Sequence, residues 1–233
     1  MQAIWAKKQE DGLIKTNPEF GMRNSVEKIR NPHFETRNQK LMDFKLTPEQ
    51  EMIRDMVRDF TEKNIKPVAA LYDEEKQFPH ENLKKMAKQG LMGMNIPVEF
   101  GGSEVGVVAY SLAITEIAKG CASHAVTTSV TNMVAEVIYE FGQEEIKRKH
   151  VPKLCNGQYP AGSFAITEPH TGSDAGNIRT MAVRQKESYV LNGSKTLITS
   201  GEASGVTVTW AVTDRNAKKG KGVSAFVIEK GSP

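Results

Sequence analysis

The chain has 233 residues, 39% hydrophobic and 25% charged, the composition of a globular protein large enough for one large or two ordinary domains. A formal net charge of +3, with no basic run interleaved with aromatics, argues against nucleic-acid binding. No apolar run reaches the roughly 18 residues a membrane-spanning helix needs, and Cys121 and Cys155 lack zinc-site spacing and read as reduced thiols.

Residues 1–42 are polar, carry Asn-Pro at Asn17-Pro18 and Asn31-Pro32, and show no sustained period, which predicts a flexible extension. The first residues have no apolar h-region, and Glu10, Asp11 and Glu19 are unlike an organellar transit peptide, so the cytoplasm is the expected compartment. Patterned sequence begins at Met42. Thr47 as N-cap, Pro48 at the first helical position and Gln50 complete a capping box. Met52, Ile53, Met56, Val57 and Phe60 then supply one apolar helical face, and the helix should bend near Pro67. A second helix, "HENLKKMAKQG", buries Leu83, Met86 and Ala87 and stops at Gly90. Ile96-Pro97 and Gly101-Gly102 interrupt helical structure. Three more helical patterns follow, ending at Gly120, Gly142 and Gly157. Met86, Met92, Met94 and Met133 read as core or lining. Residues 43–158 are thus expected to form an all-helical domain.

Beyond Gly157 the hydrophobic period changes to two. "SYVLNGSKTLIT" predicts a hairpin at Asn192-Gly193, and "GVTVTWAV" and "GVSAFVIEK" are further strands. Residues 159–233 are expected to be an antiparallel β domain. It ends directly after a strand, at "EKGSP", so the domain is expected to be incomplete in this chain. The overall fold class is α+β.

"SFAITEPHTGSDAG", Ser163 to Gly176, matches neither a GxGxxG nor a Walker loop. It offers a strand end, a turn imposed by Pro169 and Gly172, and hydroxyls from Thr167, Thr171 and Ser173. Such a turn either faces solvent or hydrogen-bonds a flat heteroaromatic edge or an anion through its backbone N–H groups and hydroxyls.

"FAITEPHTGSD" followed by "YVLNGSKTLITSG", preceded by helices containing "IPVEFGG", resembles the acyl-CoA dehydrogenase family from Met42 to the end. The resemblance implies FAD, held by Phe164, Ala165, Ile166, Thr167, Glu168, Pro169, His170, Thr171, Gly172 and Ser173 in the first loop and by Leu197, Ile198 and Thr199 in the second. Thr167 and nearby backbone N–H groups should face the pyrimidine side of the flavin, Thr199 its reactive edge, and Ser173 both flavin and acyl-CoA. It further implies α,β-dehydrogenation of an acyl-CoA, electron-transfer flavoprotein as acceptor, and a homo-oligomer when full length. Val107 to Tyr110 should line the acyl pocket.

Three departures stand out. His170-Thr171 replaces the family's small pair, and Leu197 stands where an aromatic often packs on the flavin. The family's catalytic glutamate usually lies in a C-terminal helical domain beyond Pro233, so no catalytic residue is assigned. Glu168 and Asp174 are read as shaping the loop, and His170 as its filler. Lys218, Lys219 and Lys221 read as a solvated hairpin end that is also able to meet CoA phosphates. A non-catalytic fragment or a subunit complemented by another chain, and a flavin oxidase or monooxygenase of the same fold, are the alternatives.

Overall fold

The computed structural model describes residues 44–186 and 188–232; the extension expected over 1–42 lies outside them. Helix α1 (Pro48–Phe60) starts at the capping box: the Thr47 hydroxyl accepts from the Gln50 N–H at 3.3 Å, and the Gln50 side chain accepts from the Thr47 N–H at 3.0 Å. Ile53, Met56, Val57 and Phe60 pack inward at i, i+3, i+4 and i+7. Met52, expected on that face, is 65% exposed because it sits one position off the stripe. Approaching Pro67 the helix loosens into a π turn (Thr61–Ile65), tightens into a 3-10 turn (Lys66–Val68) and resumes as α2 (Ala69–Glu74). Proline supplies no N–H to the ladder, so the change of winding falls where the sequence placed the bend.

Helix α3 (His80–Lys88) is followed by Gly90 at φ 75°, a left-handed position that glycine adopts without strain. Helices α4 (Gly106–Gly120), α5 (Ala122–Phe141) and α6 (Glu144–Cys155) follow. α1, α3 and α4 enclose one core containing Val57, Leu83, Met86, Met92, Met94 and Ile117. Across it the Arg58 guanidinium donates twice to the buried Glu116 carboxylate, at 3.1 and 3.0 Å, which ties α1 to α4. Asn132 on α5 pins the segment before α4, accepting from the Met94 N–H at 2.7 Å and donating to the Leu91 carbonyl at 2.9 Å.

The sheet contains β1 (Gly162–Ala165), β2 (Met181–Gln185), β3 (Ser188–Asn192), β4 (Val206–Val212) and β5 (Val223–Glu229). β4 is its hub. β5 pairs antiparallel along the whole of β4, while the opposite edge takes β1 in parallel at Val206–Thr209 and β2 in parallel at Val212. The sheet is therefore mixed, which corrects the antiparallel expectation. β1 and β2 run in one direction along one edge, like a single strand interrupted by residues 166–180. Nothing local in a sequence marks such pairing, because parallel neighbours meet only after a long connection.

The hairpin also differs from expectation. It joins β2 to β3, with Gln185 opposite Ser188 and Lys186 at φ 55°, whereas Asn192-Gly193 ends β3 and leads into a loop. Gly193 is needed for proximity: a Cβ there would lie 2.6 Å from the Thr180 Cα. Helices α5 and α6 pack on the sheet through Val134, Ile138, Leu154, Val206 and Val208. A polar clamp reinforces this junction, with the Tyr159 hydroxyl donating to Glu229 at 3.0 Å and the Lys149 ammonium donating to it at 2.7 Å.

Candidate functional site

The loop carrying the sequence motif leaves β1 at Ala165, whose carbonyl accepts from the Thr209 hydroxyl of β4 at 2.9 Å. It rejoins β4 at Thr180, whose carbonyl accepts from the Val212 N–H at 2.7 Å. Between these anchors the chain makes a tight turn in which Glu168 and Thr171 exchange backbone hydrogen bonds of 2.9 and 3.0 Å. The Thr171 hydroxyl closes the next turn on the Asp174 carbonyl at 2.9 Å. His170 donates through Nε2 to the Asn177 carbonyl at 3.1 Å, a bond that makes it part of the loop's frame.

The second loop, residues 195–199, is bound directly to the first. The Thr196 N–H donates to the Thr167 carbonyl at 3.0 Å, and the Ser163 hydroxyl donates to the Thr199 carbonyl at 2.8 Å. Lys195 donates to the Ile166 carbonyl at 3.1 Å and to Glu168 Oε1 at 2.9 Å. The two motifs, separated in sequence by β2 and β3, thus form one braced unit.

Glu168 lies at the centre of this brace, with its side chain 2% exposed. Burial alone would push its carboxyl upward. Donation from Thr180, from the Lys195 ammonium and from the Arg179 amide outweighs it and holds the group down at about 2. The Arg179 and Thr180 N–H groups reach the two carboxylate oxygens at 2.6 and 2.9 Å. A carboxylate so committed is a structural anion, with little capacity to accept a proton near neutrality.

The expected site residues divide by exposure. Ala165, Glu168 and Thr171 are turned into the protein, Phe164, Ile166, Thr167, Ile198 and Thr199 are half-buried, and Pro169, His170, Gly172, Ser173 and Leu197 face outward. Phe164 packs on Trp210, ring centroids 4.2 Å apart and planes tilted by 46°. Leu197 is 89% exposed and holds φ at 57°, and Ser200 holds φ at 58°. Two left-handed non-glycine residues so close together cost about 1–2 kcal/mol each, strain that other bonds of the loop hold in place. The Ser200 hydroxyl is buried without a protein partner. Lys195 was missed as a site residue; its signal was the one lysine of "NGSKTLIT" facing the one glutamate of "FAITEPH".

Beside the first loop lies a cleft of about 580 Å³ between residues 176–181 and the β4–β5 connection. Arg179, Arg215, Lys218 and Lys219 give its wall a positive character, tempered by Asp214. Lys219 is ion-paired with Asp174 at the end of the motif loop. Val107 and Val108, at the start of α4, are exposed at 71% and 49%, and Tyr110 is half-buried. Among the described residues, no cluster of His, Cys, Asp and Glu has the arrangement of a metal site, and no helix is long and apolar enough to cross a membrane.

A helical bundle packed on a mixed sheet, with two loops of that sheet braced into one unit, defines an α+β protein whose candidate binding surface is built from loops. Residues 47–158 match the family described as acyl-CoA dehydrogenase, N-terminal domain, and residues 163–233 match acyl-CoA dehydrogenase, middle domain. The chain belongs to the acyl-CoA dehydrogenase family. Over 191 residues it is 45% identical to the short-chain specific acyl-CoA dehydrogenase of Clostridium acetobutylicum, covering 82% of this chain and 50% of that protein. Its fold is similar to butyryl-CoA dehydrogenase from Megasphaera elsdenii, with 36% identity and a TM-score of 0.77 over 82% of this chain and 51% of that one. It is similar as well to a glutaryl-CoA dehydrogenase from Mycobacterium smegmatis in complex with FADH2, with 31% identity and a TM-score of 0.75 over 81% of this chain and 47% of that one. The chain spans about half the length of the relatives it matches.

Proposed function

We propose that this chain is the helical and middle portion of an FAD-dependent acyl-CoA dehydrogenase, with loops 164–173 and 195–199 as the two walls of the flavin site. The observation that carries the proposal is the cross-bracing of the two loops, Thr196 to Thr167 and Ser163 to Thr199, around an exposed Leu197 held in strained backbone. The exposed and half-buried residues of this unit fit an isoalloxazine: the exposed Leu197 offers apolar cover, and the exposed Ser173 and half-buried Thr167 and Thr199 offer hydroxyls for its heteroatoms. When bound, FAD supplies the acceptor for a hydride leaving the β carbon of an acyl-CoA thioester.

The chain's own residues bind, orient and polarise. Hydroxyls and amides of the first loop stabilise negative charge at the pyrimidine end of the ring. Arg179, Arg215, Lys218 and Lys219 of the adjacent cleft attract the phosphates of CoA. Glu168 is locked in its ionic cage and Asp174 is paired with Lys219, so the base that removes the α proton comes from outside these loops. Electron-transfer flavoprotein as acceptor, assembly as a homo-oligomer and a cytoplasmic location complete the proposal; the free thiols Cys121 and Cys155 accord with a reducing compartment.

The test is to purify the 233-residue chain, titrate it with FAD and assay turnover with short acyl-CoAs. Weak FAD binding without dehydrogenation is the expected result. Absence of any FAD binding would overturn the site, and robust turnover would overturn the placement of the base.

A further inference from the structure

The peptide between Ile166 and Thr167 occupies a special place in the loop, because its carbonyl is held by Lys195 at 3.1 Å. The described residues contain no cis peptide, so the Thr167 N–H points opposite to the Ile166 carbonyl. Fixing the carbonyl on one side therefore aims the amide to the other. The next carbonyl along, that of Thr167, is fixed in turn by the Thr196 N–H, from the residue adjacent to Lys195. Lys195 also donates to Glu168, which organises the loop's return through the Arg179 and Thr180 amides. Its side chain is only 13% exposed, so this ammonium is drawn out of water and committed to the loop.

We propose that Lys195 is a positioning residue of the flavin site: by holding the Ile166 carbonyl and the Glu168 carboxylate it aims the Thr167 amide and sets the spacing of the two loops. This rests on the reading of those loops as the FAD site. Lys195 touches no reacting atom in this account. Its effect reaches the flavin through the orientation of one backbone donor and the separation of two walls. A lysine is suited to the task because a single ammonium carries several donors at the end of a flexible stem, enough to serve a carbonyl and a carboxylate together.

Lys195→Met keeps the stem and removes every donor, whereas Lys195→Gln keeps one short amide donor. Both variants and the parent 233-residue chain are titrated with FAD, and the visible dichroism of the bound flavin is recorded. Exchange of the Thr196 amide is measured without FAD, with the amides of α4 and α5 as the reference for intact folding. Lys195→Met is expected to weaken FAD binding by about tenfold to a hundredfold and to alter the flavin dichroism, with Lys195→Gln falling between it and the parent. Thr196 should lose protection in both while the helices keep theirs. Parental affinity and dichroism in either folded variant overturn the proposal; if Lys195→Met does not fold, Lys195→Gln decides. Should the parent bind no FAD, the functional reading fails and the flavin role of Lys195 with it; parental FAD binding together with unchanged Thr196 protection in folded Lys195→Met overturns the positioning role alone.

Discussion

Replacing Glu168 with Gln removes a charge from the interior of the motif loop while keeping the side chain's length and one acceptor oxygen. The wild-type carboxyl is lowered from 4.5 to about 2, because donors from Thr180, Lys195 and Arg179 overcome the opposing effect of burial. At about 1.4 kcal/mol for each pH unit, that difference corresponds to about 3–4 kcal/mol of folding stability. The sign follows from the direction: a depressed carboxyl contributes fully above 4.5, and the contribution disappears as pH falls toward about 2. In the Gln variant the Lys195 ammonium keeps only a neutral partner, and the Arg179 and Thr180 amides compete for a single oxygen. The variant should therefore be less stable at neutral pH by about 2–3 kcal/mol. The assay is urea unfolding of both proteins from neutral pH into the acid range. The stability gap should be constant near neutrality and close below 4.5 as the wild type loses its extra term. Other carboxylates titrate in both proteins and cancel in the difference. Parallel curves, with a gap that persists through the acid range, would refute the assignment of this charge to the brace.

Four further outcomes are expected. Gly172→Ala places a Cβ whose nearest neighbour is the Thr167 methyl at 3.8 Å, so the apo melting temperature should stay unchanged while FAD affinity, read by fluorescence titration, falls. Leu197→Gly relieves a left-handed backbone at φ 57°, which should raise apo stability by about 1 kcal/mol in thermal melts while weakening FAD binding. Gly193→Ala drives a methyl against the Thr180 backbone, and calorimetry should show a loss of about 1–3 kcal/mol. Burial, only partly offset by Glu229 and reinforced by Lys149 and Lys153, lowers His150 from 6.5 to about 4. Its neutral form thus supports folding above 6.5, and denaturant midpoints should show stability falling between that pH and about 4, less steeply in His150→Gln.

Much of the helical half was legible because its boundaries are chemical: the capping box at Thr47, the bend at Pro67 and the left-handed Gly90 are local events that local residues specify. Met52 was misplaced because one position along a helix turns a side chain away from the stripe. The sheet was harder. Asn192-Gly193 is a strong hairpin signal, but this glycine answers to the approach of Thr180, a residue remote in sequence and adjacent only after folding. The parallel placement of β1 and β2 along β4 likewise depends on contacts across long connections. At the candidate site, the motifs of both loops are visible in the sequence, whereas the bonds that make the loops one unit are not. Lys195 and Glu168 stand 27 residues apart, and a lysine and a glutamate in separate loops acquire their roles only when the sheet brings them to 2.9 Å.

The most direct test of the account is hydrogen exchange of the chain with and without saturating FAD. It predicts that FAD slows exchange in residues 164–173 and 195–199 together, while the far ends of the helices are unaffected. Protection in only one of these loops, or its appearance elsewhere with both loops unchanged, would contradict the claim that the two form a single flavin site.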